Sequence, residues 1–251
     1  MSAALETLAL CKTFGGITAT NDVSFRLDAG ARHALIGPNG AGKTTLVNLL
    51  AGALAPTAGR VMLEGADVTT LAMDRRVRRG LARTFQINQL FGAMTPQETL
   101  GLAVAERLGD GARAWQPAGA DPRVVADVVE LAARFRLGDV LDVRTASLPY
   151  GKQRLLEIAV AFASRPRVLL LDEPAAGVPE SERHDILAVV GALPRDVTVL
   201  LIEHDMDLVF SFADRISVLV SGALLTEGPP EQVARDPQVK AVYLGEEAVN
   251  V

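Results

Sequence analysis

The sequence predicts an α/β fold, and three observations carry that expectation. Strand signals alternate with helical patterns towards both ends of the chain, the pattern of helices packed on a buried sheet. One strand signal runs straight into the glycine-rich stretch Gly37-Pro38-Asn39-Gly40-Ala41-Gly42-Lys43-Thr44 and then into a helical one. From about Asn88 to residue 164 the alternation stops and helical periodicity takes over.

Taken in order, residues 5–10 and 23–27 read as short strands. Residues 32–36 are an apolar run ending at the glycine loop, which fits a buried strand. Residues 41–50 follow as a helix and 60–63 as a strand, with Glu64-Gly65-Ala66-Asp67 as a turn. Residues 96–108, 123–135 and 154–162 are helical by pattern. The Gly-, Pro- and Ala-rich stretch 109–122 is a loop. Strands return at 168–171, 198–202 and 216–220, with helices between them. The expected organisation is one domain over 1–251. Its core comes from 1–87 and 165–251, with a helical subdomain at 88–164.

Composition bounds the function. With 49% hydrophobic and 22% charged residues over 251 positions, the chain can bury a substantial core and is not disordered. Aromatics at 4% and a net charge of -5 give neither stacking rings nor a basic footprint, so no nucleic-acid partner is expected. The local cluster Arg75, Arg76, Arg78 and Arg79 reads as the solvated face of a helix. The single cysteine, Cys11, excludes an internal disulfide and reads as a small buried hydrophobe. No signal peptide and no apolar run of roughly 20 residues is visible. The expected location is therefore cytoplasmic, with membrane association only through a partner.

The stretch 37–44 matches G-x-x-x-x-G-K-[ST] completely. Its glycines let several backbone N–H groups face one point, which is also a helix N-terminus and so favours an anion. Lys43 can reach β- and γ-phosphates, and the Thr44 hydroxyl can ligate Mg²⁺. Thr45 follows in the first turn. The loop by itself fits kinases, motors and GTPases equally. Residues 168–174, Val-Leu-Leu-Leu-Asp-Glu-Pro, put two acids at the carboxyl end of a buried strand, where ligands of parallel sheets gather. Asp172 is there as a metal ligand. Glu173 is there to polarise a water for attack on a γ-phosphate.

In fixed order with further phrases, these residues resemble the ATP-binding cassette (ABC) family over nearly the whole chain. Phe14 stands where that family stacks adenine. Arg83-Thr84-Phe85-Gln86 resembles the segment ending in the glutamine that senses Mg²⁺ and the attacking water. Leu148-Pro149-Tyr150-Gly151-Lys152-Gln153 occupies the signature position, whose usual form is Leu-Ser-Gly-Gly-Gln. Ala175-Ala176-Gly177-Val178 is similar to the loop after the carboxylates, and His204 to the γ-phosphate-sensing histidine. His33, His184 and Trp115 match nothing. Lys12-Thr13-Phe14-Gly15-Gly16, Leu155-Leu156-Glu157-Ile158-Ala159, Asp172-Glu173-Pro174-Ala175-Ala176-Gly177, Ile202-Glu203-His204-Asp205-Met206 and Tyr243-Leu244-Gly245-Glu246 resemble the ATPase subunits of branched-chain amino acid importers.

The resemblance implies a P-loop core of ABC type, with an N-terminal antiparallel β subdomain and an inserted helical subdomain. It implies ATP and Mg²⁺, hydrolysis by Glu173, His204 and Gln86, and a metal held by Thr44, Gln86 and Asp172. The nucleotide would contact Phe14, Gly37, Pro38, Asn39, Gly40, Ala41, Gly42, Lys43, Thr44 and Thr45. It would also meet Tyr150, Gly151 and Lys152 of a second ATPase subunit, identical or paralogous. Membrane permease subunits and, indirectly, a solute-binding protein complete the implied assembly, on the cytoplasmic face of the inner membrane. Urea, amide or aromatic-solute uptake and lipopolysaccharide export stay open beside amino acid import.

Overall fold

The computed structural model describes residues 2–84, 90–109 and 121–247. Its strands are β1 (Ala3–Phe14), β2 (Ile17–Val23), β3 (Arg26–Asp28), β4 (Arg32–Ile36), β5 (Ala58–Leu63), β6 (Ala66–Asp67), β7 (Leu81–Arg83), β8 (Val168–Asp172), β9 (Thr198–Ile202), β10 (Arg215–Val220) and β11 (Ala223–Gly228). Its helices are α1 (Lys43–Ala51), α2 (Met73–Arg78), α3 (Pro96–Leu108), α4 (Pro122–Arg134), α5 (Tyr150–Ala163), α6 (Glu180–Gly191), α7 (Met206–Phe212), α8 (Pro230–Arg235) and α9 (Pro237–Glu247). The chain divides into two compact units. One comprises Met1–Arg83, Arg167–Glu173 and Pro194–Val251, the other Thr84–Pro166 and Pro174–Leu193.

The first unit holds two sheets. An antiparallel sheet runs β2-β1-β5-β6, with β3 also on β1. A six-stranded sheet runs β11-β10-β4-β9-β8-β7, parallel except for the β10/β11 pair. The strands β4, β8 and β9 are buried at every position, which is why they read as unbroken apolar runs. Helix α1 joins the sheets: Leu46, Val47, Leu49 and Leu50 share one core with Leu5, Leu27 and Val61 of the antiparallel sheet and with Leu35, Leu170 and Leu200 of the parallel one. A second core sets Val209 of α7, Val233 of α8 and Val239 of α9 against Ile36, Ile216 and Val218.

The second unit contains α3, α4, α5 and α6. Helix α3 opens with a capping box, in which Thr95 accepts from the Glu98 N–H and Glu98 accepts from the Thr95 N–H. Helix α4 opens with Asp121 accepting from the Arg123 N–H.

Three expectations are corrected. Residues 23–27 are not one strand: β2 ends at Val23 and β3 begins at Arg26, and between them the Thr7 hydroxyl takes the place of ladder bonds, donating to the Val23 carbonyl at 2.8 Å and accepting from the Phe25 N–H at 2.9 Å. Arg76 is not part of a solvated face. Arg75, Arg78 and Arg79 are exposed, but Arg76 is buried, its guanidinium donating to the carbonyls of Leu49, Leu50, Thr69 and Leu71. Cys11 is half-buried and acts as an acceptor as well as a hydrophobe, its Sγ 3.3 Å from the Asp22 N–H.

Candidate active site

Strand register brings the chemistry to one edge of the parallel sheet. Leu35 of β4 pairs with Ile202 of β9, and Ile202 pairs with Asp172 of β8. Three carboxyl ends are therefore level: the one entering the glycine loop, the one entering Glu203 and His204, and the one carrying Asp172 and Glu173. Strand β9 lies between the loop strand and the carboxylate strand.

The glycine loop folds as its sequence requires. Gly37, Gly40 and Gly42 have φ of 156°, 77° and 97°. A Cβ on Gly37 would lie 2.1 Å from the Leu219 carbonyl oxygen. Gly42 is the N-cap of α1, and its carbonyl accepts from the Leu46 N–H at 2.9 Å. Lys43 is buried and its Nζ donates to the carbonyls of Gly37 and, at 3.0 Å, Pro38. The ammonium thus lies over its own loop. Thr44 is exposed in the first turn of α1.

Asp172 is 2% exposed. Burial pushes its carboxyl above the ordinary carboxylate range, while Arg83 and Lys43 oppose that and Glu173 adds to it. Arg83 Nη2 donates to Asp172 Oδ2 at 3.1 Å. Glu173 sits in the left-handed region at φ 48°, its N–H donating to the Ile202 carbonyl at 2.9 Å. Such a backbone costs on the order of 1–3 kcal/mol in a non-glycine residue and is typical of functional positions. His204 Nδ1 is 3.8 Å from Glu173 Oε1 and 3.7 Å from Glu203 Oε2. The imidazole is well exposed, whereas Glu203 is buried and also accepts from the His204 N–H. Asp205 caps α7 and so fixes where β9 releases the chain to His204.

The structure therefore brings the 37–45 loop, Asp172, Glu173 and His204 to one edge of one unit. Phe14 is in the same unit at the end of β1, half exposed, with Lys12 Nζ 5.1 Å from its ring centroid. Gln86 lies outside the described residues. Tyr150, Gly151 and Lys152 belong to the second unit, where Pro149 is the N-cap of α5 and provides no side-chain cap. Lys152 Nζ is engaged by the Arg136 carbonyl and, at 2.7 Å, Asp139 Oδ1. The Tyr150 ring packs on Gly177 and lies 5.2 Å from the Arg154 guanidinium, which donates to Glu157 and to the Ala176 carbonyl. The signature position and the loop after the carboxylates are thus tied together within that unit. Sequence reasoning assigned no role to Arg83, Asn48, Glu203 or Arg154, since their partners are set by topology and not by spacing.

The donor set suits Mg²⁺. Among the described residues no cluster of three or more His, Cys, Asp or Glu is placed to hold a metal. One buried carboxylate beside a phosphate loop matches an ion bound by one or two protein oxygens plus substrate phosphates.

A family model described as ABC transporter matches residues 20–176, more than half of the chain. The chain belongs to that family. It is an ABC ATPase that binds and hydrolyses ATP. A second model, described as branched-chain amino acid ATP-binding cassette transporter, matches residues 223–249. The ATPase is 41% identical over 249 residues to the high-affinity branched-chain amino acid transport ATP-binding protein BraF of Pseudomonas aeruginosa, covering 96% of this chain and 98% of BraF. It is 38% identical to LivG of Escherichia coli strain K12, which carries the same description, at 96% and 98% coverage. Among solved structures it is similar to the ADP conformation of MJ1267, an ATP-binding cassette of an ABC transporter. That match has a TM-score of 0.86 and 30% identity, over 98% of this chain and 99% of that one. The fold is accordingly the ABC ATPase fold.

Proposed function

We propose that this chain is the ATP-hydrolysing subunit of an importer for branched-chain amino acids, working as one of two cassettes beneath membrane permease subunits. The observation that carries the chemistry is the level edge where the phosphate loop, Asp172, Glu173 and His204 converge. The relatives named for branched-chain amino acid transport, and the match of residues 223–249, support the choice of solute class.

In this reading the loop N–H groups and α1 hold the phosphates, and the Lys43 ammonium moves from the Gly37 and Pro38 carbonyls onto phosphate oxygens. Asp172, Thr44 and Gln86 would hold Mg²⁺, which when bound would supply positive charge against the phosphate oxygens. Glu173, whose backbone is held in the left-handed region, accepts a proton from the attacking water. His204, exposed beside it, donates to the γ-phosphate. Phe14 stacks on the adenine. The start of α5 in a second subunit, Tyr150 and Gly151, closes over the nucleotide, and Lys152 orients that turn through Asp139. Among the described residues no helix is long and apolar enough to cross a membrane. Attachment then comes through the permease, received around residues 87–99, where Phe91 is 64% exposed.

The test reconstitutes the chain with the membrane subunits of its transporter in proteoliposomes and adds the solute-binding protein. Leucine, isoleucine or valine should stimulate ATP hydrolysis and enter the vesicles, and Lys43→Ala should abolish both. Stimulation by urea or an amide with none by these amino acids would overturn the solute assignment.

A further inference from the structure

Three elements meet at the guanidinium of Arg83. It ends β7, with Nη2 on Asp172 Oδ2 of β8 at 3.1 Å and Nη1 on Asn48 Oδ1 of α1. The arginine and aspartate side chains are 8% and 2% exposed, so this contact is enclosed and not a surface pair. Asn48 stands four residues beyond Thr44 in α1, which puts both on the same helix face, one turn apart. The Asn48 position is itself tied down, because its backbone carbonyl accepts from the N–H groups of Ala53 and Leu54 at 3.0 and 3.1 Å. Arg83 therefore cross-links the helix that carries Lys43 and Thr44 to the strand end that carries Asp172.

We propose that Arg83 is a positioning residue for the magnesium site, its fork fixing the Asp172 carboxylate relative to the face of α1 that bears Thr44. This rests on the reading of Asp172 and Thr44 as metal ligands. The two ligands come from elements 128 residues apart in sequence, and the metal needs their oxygens at one fixed separation. A carboxylate has two oxygens and about four lone-pair directions, so a bond to a guanidinium is compatible with coordinating an ion. Only a planar fork reaches two acceptors at once with set geometry, whereas a lysine ammonium is a point charge on a flexible stem. Holding the ligands from outside in this way is worth about 10–100-fold in metal affinity where it has been removed from other sites.

The competing account is an ion pair that stabilises the fold and does nothing for the metal. The two separate in the Mg²⁺ dependence of nucleotide binding. The full chain is titrated with Mg²⁺ in the presence of a fluorescent ATP analogue, alongside a binding curve in EDTA. Arg83→Lys should raise the half-saturating Mg²⁺ concentration about tenfold and leave metal-free affinity unchanged. Asn48→Ala, which removes one arm of the fork, should shift the Mg²⁺ requirement in the same direction by less. Asp172→Asn is the control. If it leaves the Mg²⁺ requirement unchanged, the ligand reading fails and this inference with it. If Asp172→Asn shifts the requirement and Arg83→Lys does not, or if Arg83→Lys weakens metal-free and metal-bound states equally, Arg83 is structural only. Should Arg83→Lys not fold, Asn48→Ala decides between the same outcomes.

Discussion

At Gly42 the backbone takes φ 97°, and a Cβ there would lie 2.4 Å from the carbonyl oxygen of Ala19. A left-handed conformation costs an alanine roughly 1–2 kcal/mol, and the backbone contact cannot be relieved by turning a side chain. Gly42→Ala should therefore lose nucleotide binding in a fluorescence titration while α1 still forms. Undiminished binding would show that the loop tolerates a shift. Gly151 is a different case. A Cβ there meets Glu182 Oε2 at 2.4 Å, the mobile end of a side chain that can move aside. Gly151→Asp nevertheless sets a carboxylate against Glu182 as well as against the phosphate of a second subunit. Pro149→Ala keeps the α5 N-terminus and its backbone donors. In steady-state ATPase assays of the reconstituted transporter, Gly151→Asp should be far the more damaging. Equal inactivity would mean that the proline itself shapes the site. At residue scale the glycine loop and the Asp-Glu pair were legible as candidates by type and spacing, and the strand register sets them on one edge of the parallel sheet. Arg83 was not legible, because Asn48 and Asp172, to which it donates, lie 35 and 89 residues away in sequence.

Elements were legible in proportion to their apolar content. The fully buried β4, β8 and β9 were plain. Strand β2 was missed because most of its residues face outward, and β7 because it has only 3 residues. Helix α2 hid its role for another reason: burial by a cation leaves no hydrophobic period. Arg76 satisfies Leu49 and Leu50 carbonyls at the end of α1, and burial pulls its pKa down to about 10. Arg76→Leu would leave several carbonyls without a donor at about 1–3 kcal/mol each, and should lower the denaturation midpoint accordingly. A change comparable to that of Arg75→Leu would contradict this. His33 joins β4 to β10 and, through Ser217, to Glu227 of β11 at 2.8 and 2.7 Å. Burial lowers its pKa to about 4, with Glu227 opposing and Arg215 assisting. The unfolded imidazole takes its proton near pH 6.5, before the folded one does. The neutral His33 therefore contributes its full stability above that pH, and the contribution falls as pH drops towards 4. The loss is on the order of 2 kcal/mol by pH 5. His33→Gln should flatten that part of the unfolding-free-energy profile, and an unchanged slope would assign the titration elsewhere.

At the scale of the whole molecule, the proposed function needs a pair of cassettes, with the catalytic edge of one chain facing the signature helix of a second. In the sequence this arrangement was only implied, by a family resemblance built from ordered phrases, each weak alone. The sequence could not carry which side chains hold the signature in place, since Tyr150, Arg154 and Gly177 meet only once α5 and the loop after the carboxylates are folded. In the proposed cycle the Glu173 carboxylate takes the proton of the attacking water, the step that would end what the other residues begin. Replacing Glu173 by glutamine keeps the shape and removes the proposed base. The most direct measurement follows Glu173→Gln in ATP and Mg²⁺, reading turnover and molecular mass by light scattering together. Turnover should fall by about 10²–10⁴, with nucleotide still bound and a dimer accumulating that the wild type shows only transiently. Turnover at the wild-type rate, or a monomer that binds ATP without pairing, would contradict the account.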